Sequence, residues 1–171
     1  MAAFRALLVV LLSLVLVALG ASLSHLVAGG AFSLALAVPV VVWLGMDAGL
    51  VEGAVAAAAV GVVTDAAAGG PMGLLTFLSV MAFLGTRAAS SAIDARGVLA
   101  FAVLSGAATL LMGIGALLLT RYVSPPEAAP RWGLMGRVAG EALLTAVLAP
   151  AVGWMLKRVL GAAPREQPGV L

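Results

Sequence analysis

The feature that most constrains this chain is a series of long apolar segments separated by short polar turns. The segment from Val98 to Thr120 contains no charged residue. A helix needs about 20 mainly apolar residues to cross the hydrocarbon core of a bilayer. Only 9% of the 171 residues are charged, against about 25% in an average soluble domain. The chain has too few charges to cover a soluble surface, and we predict an all-α polytopic membrane protein with about six transmembrane helices.

Six apolar segments are candidates for these crossings. The second is short and contains Pro39, so a kinked or re-entrant segment is an alternative to a full crossing there. The first follows a basic start and ends in small residues, which also fits a cleaved signal peptide, although a first membrane helix ordinarily stays and sets the topology. We expect one membrane domain over residues 1–158 and a short flexible tail over 159–171. The segments cover residues 6–23, 31–44, 50–67, 72–89, 98–120 and 134–156.

The basic residues orient these segments, because cytoplasmic loops of membrane proteins carry an excess of Lys and Arg. Six crossings with a cytoplasmic N-terminus place six basic residues inside and three outside. Five crossings would invert the second half of the chain and reverse the bias. We therefore expect both termini in the cytoplasm. The basic residues expected outside are Arg121, Arg131 and Arg137, and those expected inside are Arg5, Arg87, Arg96, Lys157, Arg158 and Arg165.

Composition excludes several kinds of site. Without cysteine, the chain has no disulfide, no thiolate metal site and no cysteine nucleophile, and the single histidine, His25, is too little for a histidine metal site. No clustered basic face indicates nucleic-acid binding. The sequence also lacks a Ser/His/Asp set and a phosphate-binding glycine loop. We expect a non-enzymatic protein without metal or cofactor, in contact with membrane lipid and not with nucleic acid.

Small residues repeat along the third segment. Gly53, Ala57 and Gly61 recur at a four-residue spacing and share one helical face, which lets a neighbouring helix approach closely. A general enrichment of alanine and glycine in the chain is the alternative explanation. Two acids lie at the start of this segment. We expect Asp47 to cap the helix, whereas Glu52, one turn into it, is a candidate partner-binding residue together with Gly53.

A polar turn joins the third and fourth segments. Asp65 lies near the end of the third helix, Gly69, Gly70 and Pro71 follow, and Gly73 opens the next helix. The glycines can adopt positive φ, and proline suits the first turn of a helix. This string predicts a tight hairpin whose residues are candidate structural or partner-binding positions. One interpretation of Asp65 is that its side-chain oxygens fix the turn.

A second interpretation gives Asp65 a different environment. Arg137 and Glu141 lie one turn apart in the sixth segment and are expected to pair. Ionisable groups at membrane depth cost about 2.5–3.5 kcal/mol each on insertion scales and are therefore candidate functional residues. In this interpretation Asp65, Arg121, Arg137 and Glu141 converge on an outer polar cluster between the third, fifth and sixth helices.

Three short stretches around this turn carry a resemblance. Residues 49–53 are GLVEG, residues 61–65 are GVVTD, and residues 69–74 are GGPMGL. Together they resemble the recurrent pattern of the MreD family, the bacterial rod shape-determining membrane proteins: a glycine, a helix, an aspartate and a small-residue turn with Pro-x-Gly. Elsewhere the resemblance is one of length, hydropathy and crossing pattern.

The resemblance implies a non-catalytic scaffold subunit of the machinery for cell elongation and lateral peptidoglycan synthesis, in the bacterial inner membrane. It implies association with an MreC-like single-pass membrane protein and, through it, with RodA, a class B penicillin-binding transpeptidase and MreB filaments. The family is also considered similar in fold to the substrate-capture subunits of energy-coupling-factor transporters. A vitamin-binding subunit is therefore the alternative, but the outer end offers few aromatic or hydrogen-bonding side chains for such a ligand.

Overall fold

The computed structural model describes residues 11–20, 35–68, 72–93, 97–123 and 134–160. Regular secondary structure in these ranges is helical throughout, which confirms the predicted all-α class. We number the helices α1 to α6 in chain order. They are α1 Leu11–Gly20, α2 Val38–Asp47, α3 Leu50–Ala68, α4 Leu74–Ile93, α5 Val98–Val123 and α6 Met135–Leu160.

The four helices α3 to α6 are long and apolar enough to cross a bilayer. They contain 19, 20, 26 and 26 residues, which corresponds to about 28–39 Å, against a hydrocarbon thickness of about 30 Å. Each matches one predicted segment, and a polytopic helical membrane protein is the result. Helix α6 continues to Leu160, so the predicted tail begins two residues too early, and the rest of that tail lies outside the described residues.

Helix α2 differs from the predicted second segment. Pro39 lies in its first turn, where a missing N–H costs no intrahelical hydrogen bond, so Pro39 starts the helix and does not kink it. The ten residues of α2 extend only about 15 Å, and residues 31–34 of the predicted segment lie outside the described part of the chain. Most of the helix is buried, at Val38, Pro39, Val40, Val41, Val42, Leu44 and Gly45.

Helix α2 occupies the centre of the bundle. It packs against α3, α4, α5 and α6, and these four form two hairpins, α3 with α4 and α5 with α6, whose contacts are the most extensive. Helix α1 joins the core through Leu16. A helix enclosed on all sides can be apolar all round, which explains the consecutive valines from Val40 to Val42.

Aromatic rings fill one half of the bundle, which we call the packed half. It contains the C-terminal ends of α2, α4 and α6 and the N-terminal ends of α3 and α5. The fully buried ring of Phe83 lies against Gly53 of α3, and the ring of Phe101 lies against Gly153 of α6. Each glycine leaves the space that the ring occupies, so close packing joins the two helices within each hairpin.

The small-residue face of α3 packs against α4, as its spacing predicts. Gly53, Ala57 and Gly61 are all buried. A Cβ atom at Gly61 would overlap the Cα atom of Thr76 in α4, so the two backbones approach each other directly at this point. Such contact between backbones is what small residues allow in membrane helices.

Candidate functional site

The carboxylate of Asp65 holds the turn between α3 and α4. Asp65 is only 7% exposed and accepts four hydrogen bonds, all from the start of α4. The donors are the N–H groups of Gly73 at 3.0 Å, Leu75 at 2.8 Å and Thr76 at 3.0 Å, and the hydroxyl of Thr76 at 2.6 Å. The first N–H groups of a helix have no intrahelical acceptor and carry partial positive charge. Asp65 therefore caps α4 from the preceding helix, as the first interpretation of this residue predicts.

Gly73 provides the backbone conformation that this cap requires. Its φ is 92°, a value that residues with a side chain rarely adopt, and its N–H points to the Asp65 carboxylate. The sequence assigned positive φ to Gly69 and Gly70. Those two residues and Pro71 lie outside the described residues, and the positive φ observed in this turn belongs to Gly73.

The convergence of Asp65 with Arg121, Arg137 and Glu141 stays a prediction. The four hydrogen bonds described above for the Asp65 carboxylate all come from the start of α4. Arg137 pairs with Glu141 on the same face of α6, with Nε 3.4 Å from Oε1, as the i, i+4 spacing predicts. The carboxylate of Asp65 thus serves the α3–α4 hairpin, and the carboxylate of Glu141 pairs with Arg137 within α6.

A second polar contact fastens the other end of the α3–α4 hairpin. Nη1 of Arg87, on α4, donates to the carbonyl oxygen of Ala48 at 2.7 Å, in the short link between α2 and α3. A guanidinium at a helix C-terminus satisfies a free carbonyl and complements the helix dipole. From the sequence, Arg87 is predicted only to lie on the cytoplasmic side.

Of the two acids near this link, Glu52 takes its predicted position and Asp47 does not. Asp47 is the last residue of α2 and is exposed, so it does not cap α3, which is preceded by Gly49. Glu52 lies in the first turn of α3 and its side chain is exposed. The capping prediction for Asp47 is wrong because α2 extends three residues beyond the predicted segment and takes Asp47 into its own last turn.

A cavity of about 350 Å³ occupies the half of the bundle that contains the α3–α4 turn. We call this the hollow half; it contains the C-terminal ends of α3 and α5 and the N-terminal ends of α2, α4 and α6. All six described helices contribute to the wall, which is made mostly of Ala, Val, Leu, Met and Gly. Its polar residues are Thr64, Ser79, Thr109 and Glu141. A volume of this size lies at the lower end of the range for small-molecule sites.

This cavity is not predicted by the sequence. Its wall comes from short pieces of six helices, and none of those pieces has a distinctive spacing. Glu141 was selected for its charge and Arg137 for its spacing from Glu141, but Thr64, Ser79 and Thr109 resemble any other small polar residue of a membrane helix. The one available signal was the abundance of alanine and glycine, because small side chains at facing positions leave space between helices.

The geometry thus presents two features, a capped hairpin and a cavity beside it. Among the described residues, no group of three or more Asp, Glu or His side chains is placed to hold a metal ion. No protein-family model, curated protein or solved structure matches this chain.

Proposed function

We propose that this chain is a non-catalytic scaffold subunit of the bacterial cell-elongation machinery, similar to MreD. The observation that supports this most is the cap on α4. The residues that carry the resemblance, Asp65 and Gly73, are the ones that make it. In this proposal the chain lies in the inner membrane with both termini in the cytoplasm, and it binds an MreC-like single-pass protein. Through that protein it would reach RodA, a class B penicillin-binding transpeptidase and MreB filaments.

The construction of the α3–α4 hairpin suits a docking surface. Asp65 fixes one end of the hairpin and Arg87 the other, and Gly61 brings the two helices into backbone contact between those ends. A surface whose supporting residues are held in place loses less entropy when a partner helix binds. The outward side of the hairpin is apolar, with exposed side chains at Val51, Val55, Val62, Phe77, Met81 and Leu84, and Glu52 lies exposed beside it.

Copurification and depletion test the scaffold function. The tagged chain, extracted from its native membrane with a mild detergent, is expected to recover a single-pass MreC-like protein. Depletion of the chain in a rod-shaped cell is expected to make the cells round or swollen. Normal rods, together with the absence of such a partner from the purified material, would rule the proposal out.

A matched pair of variants tests whether the hairpin carries this function. Asp65→Ala removes the cap on α4 and is expected to reduce recovery of the partner strongly. Asp47→Ala removes an exposed acid and is expected to leave recovery unchanged. The amounts of both variants in the membrane are measured in parallel, so that loss of the protein is separated from loss of the partner. Equal recovery from both would remove the hairpin from the proposed function.

The cavity favours a second candidate, a substrate-capture subunit of an energy-coupling-factor transporter. Such a subunit has to enclose a small molecule, and the hollow half provides a space of about 350 Å³. Against it, the described residues that line this space include no aromatic side chain with which to stack on a vitamin ring. A vitamin that raises the melting temperature of the purified protein would support this candidate. A flat result across a vitamin panel would remove it.

A further inference from the structure

The hydroxyl groups of the cavity wall present mainly hydrogen-bond acceptors. The Thr64 hydroxyl donates to the carbonyl oxygens of Val60 and Gly61 at 2.9 and 2.8 Å. The Thr109 hydroxyl donates to the carbonyl oxygen of Ser105 at 2.8 Å. A hydroxyl whose hydrogen is already used offers only its oxygen lone pairs to another molecule. Both threonines can therefore accept a hydrogen bond from a ligand and cannot readily donate one.

Glu141 adds a carboxylate to the same wall. Its side chain is 15% exposed and lies 3.4 Å from the guanidinium of Arg137. An ionised carboxylate has two oxygens and about four lone-pair sites, so it can accept several hydrogen bonds at once. A carboxylate in a mainly apolar cavity attracts a positively charged hydrogen-bond donor and repels an anion.

Ser79 adds a third hydroxyl to the wall. The residue is 2% exposed, and its hydroxyl faces α3 at Gly61. A serine hydroxyl can donate one hydrogen bond and accept others, so this position can also bond the polar head group of a ligand.

We propose that this cavity binds a small, mainly apolar molecule that carries a protonated amine. The apolar wall would enclose the body of the molecule, and the three N–H donors of the ammonium would meet acceptors at Glu141, Thr64 and Thr109. A carboxylate or phosphate in place of the amine would face Glu141 and be excluded. This proposal goes beyond the scaffold function and does not depend on it, nor does it require the ligand to be a vitamin.

Three probes that share one apolar body test the choice of head group. They are 2-phenylethylamine, 2-phenylethanol and 3-phenylpropionate, each added to the full-length protein in nanodiscs and measured by equilibrium dialysis. Empty nanodiscs of the same lipid give the partitioning into the bilayer, which is subtracted. The amine is expected to bind saturably and at least about tenfold more tightly than the alcohol, since a charge-assisted hydrogen bond is stronger than a neutral one. The carboxylate is expected to show no saturable binding.

Variants at the wall locate the binding. Glu141→Gln is expected to weaken the amine about ten- to hundredfold and to leave the alcohol unchanged. Arg137→Gln, which removes the competing cation and keeps the carboxylate, is expected to retain or strengthen amine binding. Ala116→Leu fills part of the cavity and is expected to weaken both probes, whereas Ala107→Leu, on the exposed side of α5, should change neither.

Three results would overturn the proposal. They are equal affinities for the three head groups, tightest binding of the carboxylate, and an amine affinity that Glu141→Gln does not change. If Glu141→Gln does not accumulate in the membrane, Ser79→Ala takes its place. This variant is expected to weaken the amine and the alcohol alike, and unchanged binding of both would also reject the site. Because the probes are not vitamins and binding is measured without a partner protein, these outcomes are independent of those for either candidate function.

Discussion

The packed half and the hollow half of this bundle are stabilised in different ways. In the packed half, the rings of Phe83 and Phe101 fill spaces that glycines leave open. In the hollow half, a cavity of about 350 Å³ is found instead of such rings, and the Asp65 carboxylate accepts hydrogen bonds from the start of α4. Lipid tails are as apolar as a leucine side chain, so membrane helices gain little from burying apolar surface against each other. Either dense packing or hydrogen bonds must then hold them together. Ring packing is the larger contribution in the packed half, and the hydrogen bonds of Asp65 are the larger contribution around the cavity.

This difference explains how the molecule can hold a cavity without losing its shape. Close packing in the packed half and around α2 fixes the positions of the helices. Beside the cavity, where packing is incomplete, the hydrogen bonds of Asp65 fix the position of the α3–α4 turn. Substitutions of the same chemical type should therefore have effects that depend on the half in which they lie.

The largest effect is expected from loss of the Phe83 ring. Phe83→Ala leaves a space facing Gly53 that the backbone cannot fill, and it should lower the free energy of unfolding by about 3–5 kcal/mol. Phe77→Ala, six residues earlier on α4, removes a ring that is 55% exposed and should stay within about 0.5 kcal/mol of the parent. Unfolding in mixed micelles of increasing denaturing-detergent content, followed by tryptophan fluorescence, measures both. Equal losses would show that burial in the packed half is not what stabilises the fold.

Loss of the Asp65 carboxylate should come next. Asp65→Ala leaves three N–H groups and the Thr76 hydroxyl without their acceptor, and we expect a loss of about 2–3 kcal/mol, because buried donors without partners are costly. Asp65→Asn keeps one carbonyl oxygen and should lose less. Asp47→Asn, at an exposed position, is the control and should be neutral. The same unfolding assay applies, and a neutral Asp65→Ala would contradict the idea that hydrogen bonds hold the hollow half.

A smaller effect is expected where the two helices of the hairpin touch. Gly61→Ala places a methyl group against the Thr76 backbone, which cannot move as a flexible side chain would, and the cost should be about 1–2 kcal/mol. At Gly85 of α4 an added Cβ meets nothing within 4 Å, so Gly85→Ala should be neutral or slightly stabilising, since alanine favours helix more than glycine does. A stabilising Gly61→Ala would mean that α3 and α4 can separate without loss.

Much of this fold follows from the sequence, because hydropathy is a local property. Helices α3 to α6 lie where uninterrupted apolar residues predict them, and the start of α3 at Leu50 agrees with its prediction. The short helix α2 was harder to define. Proline is compatible both with a kink and with a helix start, and only the packing of the surrounding helices decides between them.

Only part of the candidate site was predictable from the sequence. The turn around Asp65 was predictable because its residues are close in the chain and each has a strong conformational preference. The cavity and the contact of Arg87 with Ala48 join residues that are far apart in the chain, and no spacing rule connects them. The donors that Asp65 bonds were not predicted individually; they are N–H groups at the start of α4 that have no acceptor within their own helix.

The smallest expected effect concerns the contact between Arg87 and the end of α2. Arg87→Met keeps the apolar stem of the side chain and removes the donor to the Ala48 carbonyl, and the loss should be about 0.5–1 kcal/mol, as for other charges at helix ends. Ser91→Ala removes an exposed hydroxyl that bonds only within its own helix, and it should change stability less. Water reaches the partly buried Arg87, so the Ala48 carbonyl can be hydrated in Arg87→Met. The buried N–H groups around Asp65 cannot be hydrated in this way.

The double variant Arg87→Met with Asp65→Ala should be additive, since the two contacts lie at opposite ends of the hairpin and share no partner. A loss greater than the sum would show that the hairpin opens as one unit from either end.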